Sequence, residues 1–519
     1  MRFWTPIGVS VLVWATLAGC ASRPAGAPPA PSATLSGTSA QPVATYAWLN
    51  RMTWGANTSL ARQVEQMGQA AWLKQQLQAR EAELPEPAAQ TVRQMTITQT
   101  PLVDMALKLE QQRRDADGLK DDGAKKAALQ AYQQELNRIA REASTRHLLR
   151  ALYSPAQVQE QMTWFWLNHF NVHMNKHNLR ALVGDYEQNA LRVHALGRFR
   201  DLLGAVALHP AMLRYLDNEQ NAVGRINENF ARELMELHTL GVDAGYGQKD
   251  VQELARVLTG LGVNLSANTP KLRPQLQALY VRRGLMEFNP QRHDMGPKVL
   301  LGQAVQGEGL AEVAHALDVL ARHPATAAHI SRKLATFWLS DTPPQALIDR
   351  MVARWKATDG QMAQVLETLF TSAEFTQAAP GKFKDPMRYV LSAVRWAYDD
   401  QVILNVGPVM NWINRLGQPL YGRQTPDGYP LVASGWDSPG QMTTRFEIAK
   451  AIGSGSAGLF KTEGPQAVDK PAFPQLANAL YYQAIESTLG PATRNALKQA
   501  SSAQEWNMLL LAAPETMRR

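Results

Sequence analysis

Four short stretches of the sequence gather side chains able to move protons or hold ions. The densest is Glu228-Asn229-Phe230-Ala231-Arg232-Glu233-Leu234-Met235-Glu236-Leu237-His238-Thr239-Leu240-Gly241. At about 100° per residue, Arg225, Glu228, Asn229, Arg232, Glu233 and Glu236 share one helical face, Phe230, Leu234 and Leu237 lie opposite, and His238 falls on the apolar side. Carboxylates held by a guanidinium between them suit proton transfer or ion binding. The same pattern also describes a solvated helix laced by Glu228 to Arg232 and Arg232 to Glu236 pairs and closed by Gly241.

The second stretch runs Trp164-Phe165-Trp166-Leu167-Asn168-His169-Phe170-Asn171-Val172-His173, with His177 four residues on. Histidines at i and i+4 of a helix can share one metal ion, as in helical zinc proteases, but Phe170 stands where those enzymes carry their glutamate. The asparagines around His173 and His177 point instead to a helix end with ordinary histidines on it. The third stretch, Phe288-Asn289-Pro290-Gln291-Arg292-His293-Asp294-Met295-Gly296-Pro297-Lys298, puts His293, Asp294 and Lys298 on a Pro/Gly-shaped loop, where a rigid scaffold commonly carries chemistry. A solvated turn is the plainer alternative. The fourth, Gly417 to Pro430 followed by Trp436 and Arg445, contains the turn Thr425-Pro426-Asp427-Gly428 and could line a sugar or peptide groove with Asp427, Tyr429 and Trp436. Tryptophans such as Trp396, Trp412 and Trp436 more commonly end in a core.

These stretches need elements to hold them. Residues 21–43 are Ala, Pro, Ser and Gly with little to bury, which is a tether. From about residue 44 helical periodicity takes over, with helices expected near 56–82, 88–114, 124–151, 155–170, 180–208, 225–241, 248–262, 310–322, 324–340, 343–357, 361–377, 385–400, 440–453 and 473–513. The charged run 111–123 mixes both signs around two glycines and reads as a turn between two helices. Strand signals are few. The best is a hairpin from Tyr280-Val281-Arg282 to Val299-Leu300-Leu301 with the His293-Asp294 loop between its arms. The fold class expected is mainly α, a multi-helix single body over 44–519 with a small β excursion near 280–301.

The chain has 519 residues, 45% hydrophobic and 19% charged, enough to build a large core. Lys plus Arg number 53 against 45 Asp plus Glu, a net +8. That surplus suits an anionic surface or polymer and lacks the concentrated basic stripe of a nucleic-acid binder. The one cysteine, Cys20, follows Arg2, an apolar run from Ile7 to Leu17 and Ala18-Gly19. This is the pattern of a lipoprotein signal over 1–19, with Cys20 lipidated and the tether beginning there. Ala21 after Cys20 resembles the signal for forwarding to the outer membrane, on its periplasmic or surface side. Because Cys20 stands alone, disulfides, a thiol nucleophile and thiolate metal ligands are excluded from the folded part.

Taken together, Asn168-His169-Phe170, Glu228 to Glu233, Glu236 to Val242, Tyr246, Asp250-Val251 and Leu258-Thr259-Gly260 resemble the signature of the bacterial exported family catalogued as domain of unknown function 1800. His293-Asp294 with Gly296 and Lys298, Leu301-Gly302, and Pro426 to Tyr429 with Trp436 are similar to that family too, over roughly 45–515. The resemblance implies an exported, mostly helical protein, and a joint task with a sulfatase- or phosphatase-like exported partner. It also raises Glu228, Arg232, Glu233, Glu236 and His238 above a bland helix face.

Two functions accommodate these residues. One is a hydrolase of an envelope polymer, a polysaccharide or peptidoglycan, with Glu233 or Glu236 as acid or base. Three residues apart on one helix, those two point the same way, so a partner must come from another segment, and Asp294 with His293 is the expected one. Glu228, Asn229, Arg232, His238, Lys298, Asp427, Tyr429 and Trp436 are the expected binding residues. A variant has one divalent metal ion held by these carboxylates with His169 or His293. The other function is a non-catalytic helical scaffold or binding protein for the partner enzyme, in which the same residues form a buried polar network. Glu233, Glu236, His169 and His293 facing an open cleft would favour the first; sealed and mutually bonded, the second.

Overall fold

Capping residues and apolar spacing set most helices where the sequence suggests. Pro324–Trp338 starts on a proline, whose missing N–H costs nothing in a first turn, and His323 accepts from the Ala325 N–H through its ring. Pro386–Tyr398 repeats that start with Asp385, whose carboxylate accepts from the Arg388 N–H. Leu310–Arg322 turns Val313, Ala316, Leu317 and Leu320 inward, the i, i+3, i+4, i+7 stripe of an amphipathic helix. The computed structural model describes residues 42–78, 83–378, 381–461 and 473–519. These belong to one compact unit, and its fold is mainly α. Cys20, the signal and the tether up to residue 41 lie outside the described residues; positions 42 and 43, expected in the tether, already belong to the helix Pro42–Met52.

Helices Leu102–Asp117 and Asp122–Tyr153 form an antiparallel pair whose turn at 118–121 is exposed. Asp121 caps the second by accepting from the Ala124 N–H. Their small core of Met105, Leu109, Tyr132, Leu136 and Ile139 sits beside one large cluster shared by nearly all other helices. No described helix is long and apolar enough to cross a membrane.

Several expected elements differ: the helix over 56–82 divides at Gly68, that over 88–114 at Met95 and again before Leu102, that over 361–377 at Thr371-Ser372, and that over 225–241 shortens to Asn229–Glu236. The helix over 180–208 is broken: a 3-10 turn Leu179–Ala181, a π segment Tyr186–Arg192, and Phe199–Ala207 only after an extended Arg198. The π segment brings Glu187 into the core against His147 Nδ1 at 3.0 Å and the Tyr421 hydroxyl at 2.5 Å, partners that helical periodicity cannot foresee. The helix over 473–513 restarts at Gly490-Pro491 and again at the Ser502 cap. The hairpin is two hairpins. Val281–Arg283 (β2) pairs with Met286–Phe288 (β3), which also pairs with Leu261–Val263 (β1). Val299–Leu300 (β4) pairs with Gln303–Ala304 (β5). Tight turns won over a long loop because both have the backbone they need: Gly284 at φ +60° after β2, and Leu301 with Gly302 at +50° and +77° after β4.

Candidate active site

The Gln157–His169 helix ends inside the protein, and the four residues at its end fasten three other segments. Asn168 Nδ2 donates to the Tyr429 carbonyl at 2.9 Å, and its Oδ1 accepts from the Tyr429 N–H at 2.6 Å. Asn171 Nδ2 donates to the carbonyls of Arg423 and Thr425 at 3.0 and 2.9 Å. The loop carrying Asp427 is thereby held at both ends. Gly428, at φ +76°, packs so tightly that a Cβ there would meet the Asn168 carbonyl oxygen at 2.1 Å. Phe170 fills the core, with its ring 5.1 Å from that of His238.

His169 is the third fastener. Its Nε2 lies 3.1 Å from the His238 carbonyl and its Nδ1 2.8 Å from Lys333 Nζ. A carbonyl can only accept, so Nε2 carries the proton and Nδ1 accepts from lysine. Burial, then the Lys333 charge, holds His169 well below the ordinary histidine range, so the ring is neutral. The same causes depress His238 to about 3 and His329 to about 4. His238 is fully buried with no partner on either ring nitrogen, and His329 Nε2 sits 3.3 Å from the Leu237 carbonyl. Lys333, partly covered, is pushed down to about 8 by burial, against the opposing pull of Asp427.

The Asn229–Glu236 helix stands over this floor. Phe230, Ala231, Leu234 and Met235 anchor it. Arg232 reaches Glu228 at 3.0 Å and Glu236 at 3.4 Å, and Gln248 bridges Arg232 and Glu228 at 2.9 and 2.7 Å. All three charged side chains are about a third exposed, so this part of the motif is the laced solvated face. Asn229 supports it from below by donating to the Leu216 carbonyl.

Glu233 differs from its neighbours. It is half-buried, its side chain has no hydrogen-bond partner among the described residues, and burial, then the charges of Glu236 and Asp427, raises its carboxyl above the ordinary value. Asp427 moves the other way. Burial pushes it up, but hydrogen bonds from Thr425 and Arg423 and the Arg423 charge outweigh that and hold it down. Tyr215, whose hydroxyl donates to the Gln424 carbonyl at 2.7 Å, feels Glu233, Asp427 and Arg423 together. Two carboxyls from different segments thus have their proton affinities pushed in opposite directions, and Glu233 feels the charge of Asp427.

His293, Asp294 and Lys298 do not join this cluster. His293 Nδ1 contacts the Thr259 carbonyl at 2.8 Å and its Nε2 lies 3.4 Å from Glu312. Lys298 bonds Glu312 at 2.6 Å and the Gly296 carbonyl at 3.0 Å, and Asp294 is clamped by Arg256 Nε at 2.8 Å. These partners gather at the end of the Gln248–Val257 helix, whereas Gln248 at its start meets Glu228. Eight residues of helix put about 12 Å between the two groups. The structure does not bring the Asp294 carboxylate to Glu233, and its Arg256 clamp is the reason: the loop packs inward on Thr259 instead of reaching across.

Other expected ligands are also engaged by the protein itself. Tyr429 gives its hydroxyl to the Pro419 carbonyl and Trp436 its Nε1 to the Pro430 carbonyl, and both are buried. His169 has both ring nitrogens occupied, which leaves no lone pair for a metal. His173 and His177 follow the end of the helix, with His177 at φ +51°, so the helical three-histidine spacing does not exist. Among the described residues no group of three His, Cys, Asp or Glu side chains is placed to hold a metal ion.

Lys333 and His329 were missed. Their signal is faint but physical: two titratable residues four apart in Pro324–Trp338, on a helix otherwise committed to Ile330, Leu334 and Phe337. A Cβ added at Gly241, which has φ +91°, would meet His329 Nδ1 at 3.0 Å, so the backbone after the glutamate helix packs against the His329 ring.

No curated protein and no solved structure matches the chain. The linked arrangement of Asn168-His169-Phe170, the Asn229–Glu236 helix and the Asp427 loop runs through nearly the whole folded unit, as does the family match over residues 47–518: the chain belongs to the family described as Protein of unknown function (DUF1800).

Proposed function

We propose that the chain is a hydrolase of an envelope polymer in which Glu233 donates a proton to the leaving oxygen and ionised Asp427 takes one from the attacking water. The observation that carries this reading is a half-buried Glu233 with no hydrogen bond among the described residues, within electrostatic reach of an Asp427 fixed by Arg423 and Thr425 on another segment. A carboxyl whose proton affinity is raised, working with one whose affinity is lowered, is the division of labour hydrolysis needs. Export and anchoring through a lipidated Cys20 would place the site among polysaccharide and peptidoglycan strands, and the net +8 charge suits an anionic one.

Incubating the purified chain with peptidoglycan and acidic polysaccharides tests it. Product release by the wild type, lost in Glu233→Gln and in Asp427→Asn with both variants melting normally, is the expected result. Release unchanged in both variants overturns it.

A second reading, a scaffold for a sulfatase- or phosphatase-like exported partner, is favoured by one observation. His169, His293 and Lys298 are sealed and bonded to protein groups. Under that reading no substrate is cleaved, and the partner co-purifies with the Glu233→Gln variant as with the wild type.

A further inference from the structure

Arg51 is a buried charge with no carboxylate to meet it. It stands in the helix Pro42–Met52, 2% exposed, and no Asp or Glu among the described residues lies within ion-pairing distance. Its Nη1 donates to the Ala378 carbonyl at 2.7 Å, and its guanidinium lies 5.3 Å from the centre of the Phe375 ring. Nε is buried without an acceptor, and Nη2 makes no hydrogen bond among the described residues. Those two nitrogens form the edge of a guanidinium that takes both oxygens of a carboxylate. The same edge is filled elsewhere in the chain. Arg192 sets Nε and Nη2 on Glu160 at 3.1 and 2.8 Å, and Arg256 sets them on Asp294 at 2.8 and 3.2 Å. Arg51 presents the fork without the anion.

Arg51 lines a cavity of about 600 Å³, a size that holds small-molecule ligands. Val43, Ala47, Asn50 and Arg51 reach it as positions i, i+4, i+7 and i+8 of one helix, so the arginine shares a face with an apolar wall. Ile485, Leu489 and Pro514, from two other segments, extend that wall. Ile485 closes the π segment Tyr481–Ile485, an irregularity frequent at functional sites.

Most other polar groups of the lining are engaged. One carboxylate oxygen of Glu515 accepts from the Gly490 N–H at 2.6 Å and the other from the Thr493 hydroxyl at 2.9 Å. Thr376, Thr488 and Thr516 donate to the carbonyls of Ser372, Ile485 and Ala513. Asn50 donates to the Arg518 carbonyl at 3.5 Å, and Arg518 to the Gly381 carbonyl at 2.6 Å. The Tyr46 hydroxyl and the exposed Gln377 amide make no hydrogen bond among the described residues. With Arg51 and Arg518 against Glu515, the lining carries one surplus positive charge.

We propose that this cavity binds one fatty-acid-like monocarboxylate, with its two oxygens on Nε and Nη2 of Arg51 and its hydrocarbon chain along Val43, Ala47, Ile485 and Leu489. Water alone would leave the guanidinium without a counter-charge. A small inorganic anion would supply the charge but leave the apolar walls uncovered. The inference is independent of the hydrolase reading, since neither Glu233 nor Asp427 lines the cavity.

Titration calorimetry of the full chain with octanoate, short enough to stay monomeric in water, tests it. One saturable site per chain is expected. Octanol, which keeps the chain without the charge, and acetate, which keeps the head without the chain, should each bind weaker by about tenfold or more. No saturable octanoate site, or octanol or acetate binding as tightly as octanoate, overturns the proposal. In Arg51→Met, octanoate should fall to the level of octanol, and an unchanged octanoate affinity refutes the fork. Should Arg51→Met fail to fold, Ala47→Trp fills the cavity from its helical wall and leaves the bonds of the guanidinium in place. That variant should lose octanoate binding altogether; binding as in the wild type overturns the assignment.

Discussion

Replacing Glu312 by glutamine separates the role of the His293 loop from that of the Glu233 helix. Glu312 and Lys298 are 2.6 Å apart with side chains 9% and 0% exposed, and His293 Nε2 lies 3.4 Å away on the same carboxylate oxygen. An amide of the same shape can still accept from Lys298 but carries no charge, so the buried ammonium is left without a counter-ion, held only by neutral oxygens, those of Asp294 and Gly296 included. Removing one partner of a buried pair costs about 3–5 kcal/mol. With an unfolding entropy of about 2.1 cal/mol/K per residue, a unit of this length loses about 1 kcal/mol per degree, so Tm should fall by about 3–5 °C. The double variant Glu312→Gln/Lys298→Met should recover most of that loss, because the stranded charge goes too. Burial raises the Glu312 carboxyl, but bonds from His293 and Lys298 outweigh it and hold it below its ordinary value of 4.5. Its contribution is therefore complete above pH 4.5 and lost as pH falls through the lowered folded value, so the gap between wild type and Glu312→Gln should narrow in acid. Scanning calorimetry over pH checks both claims. A Tm within a degree of wild type at neutral pH would refute the structural role given to this loop.

Glu233→Gln should melt like the wild type, since its side chain bonds nothing, yet abolish polymer cleavage; the wild-type rate should fall as pH rises through the elevated Glu233 pKa, because a donor must hold its proton. Gly428→Ala should displace the Asp427 loop, since its Cβ would lie 2.1 Å from the Asn168 carbonyl oxygen, and should cost more than about 1 kcal/mol together with activity. Cys20→Ser should release the chain from the membrane fraction without lowering its Tm, as fractionation beside a melt would show.

The helices were legible because their cause is local. Leu310–Arg322 was readable to the residue from its apolar stripe, and Pro386–Tyr398 from its Asp-Pro start. What local pattern could not supply was the partner. The Tyr186–Arg192 π segment exists because Glu187 meets His147, 40 residues back, and Tyr421, 234 residues on. Likewise Asp294 carried every local mark of a reaching loop, and only the fold shows Arg256 and Thr259 waiting beneath it. Asp427 was visible as a turn residue but not as a carboxyl within electrostatic reach of Glu233, because the Asn168 and Asn171 bonds that place its loop span more than 250 residues.

That same long-range fastening decides which residues can report on chemistry. Asn168 and Asn171 hold the Asp427 loop and His169 holds the Lys333 helix and the residues after Glu236, so a change at any of them loosens one of these segments along with whatever the site does. A lost activity in His169→Ala would therefore carry no information about catalysis, since a buried ring leaving Lys333 without its acceptor is damage enough. Glu233 and Asp427 stand apart. Glu233 bonds nothing, and Asp427 bonds only to Arg423 and Thr425 of its own turn. Their removal leaves every inter-segment tie in place. Function lost at these two positions with the melt intact is evidence of chemistry; function lost only at the fasteners is evidence of a scaffold.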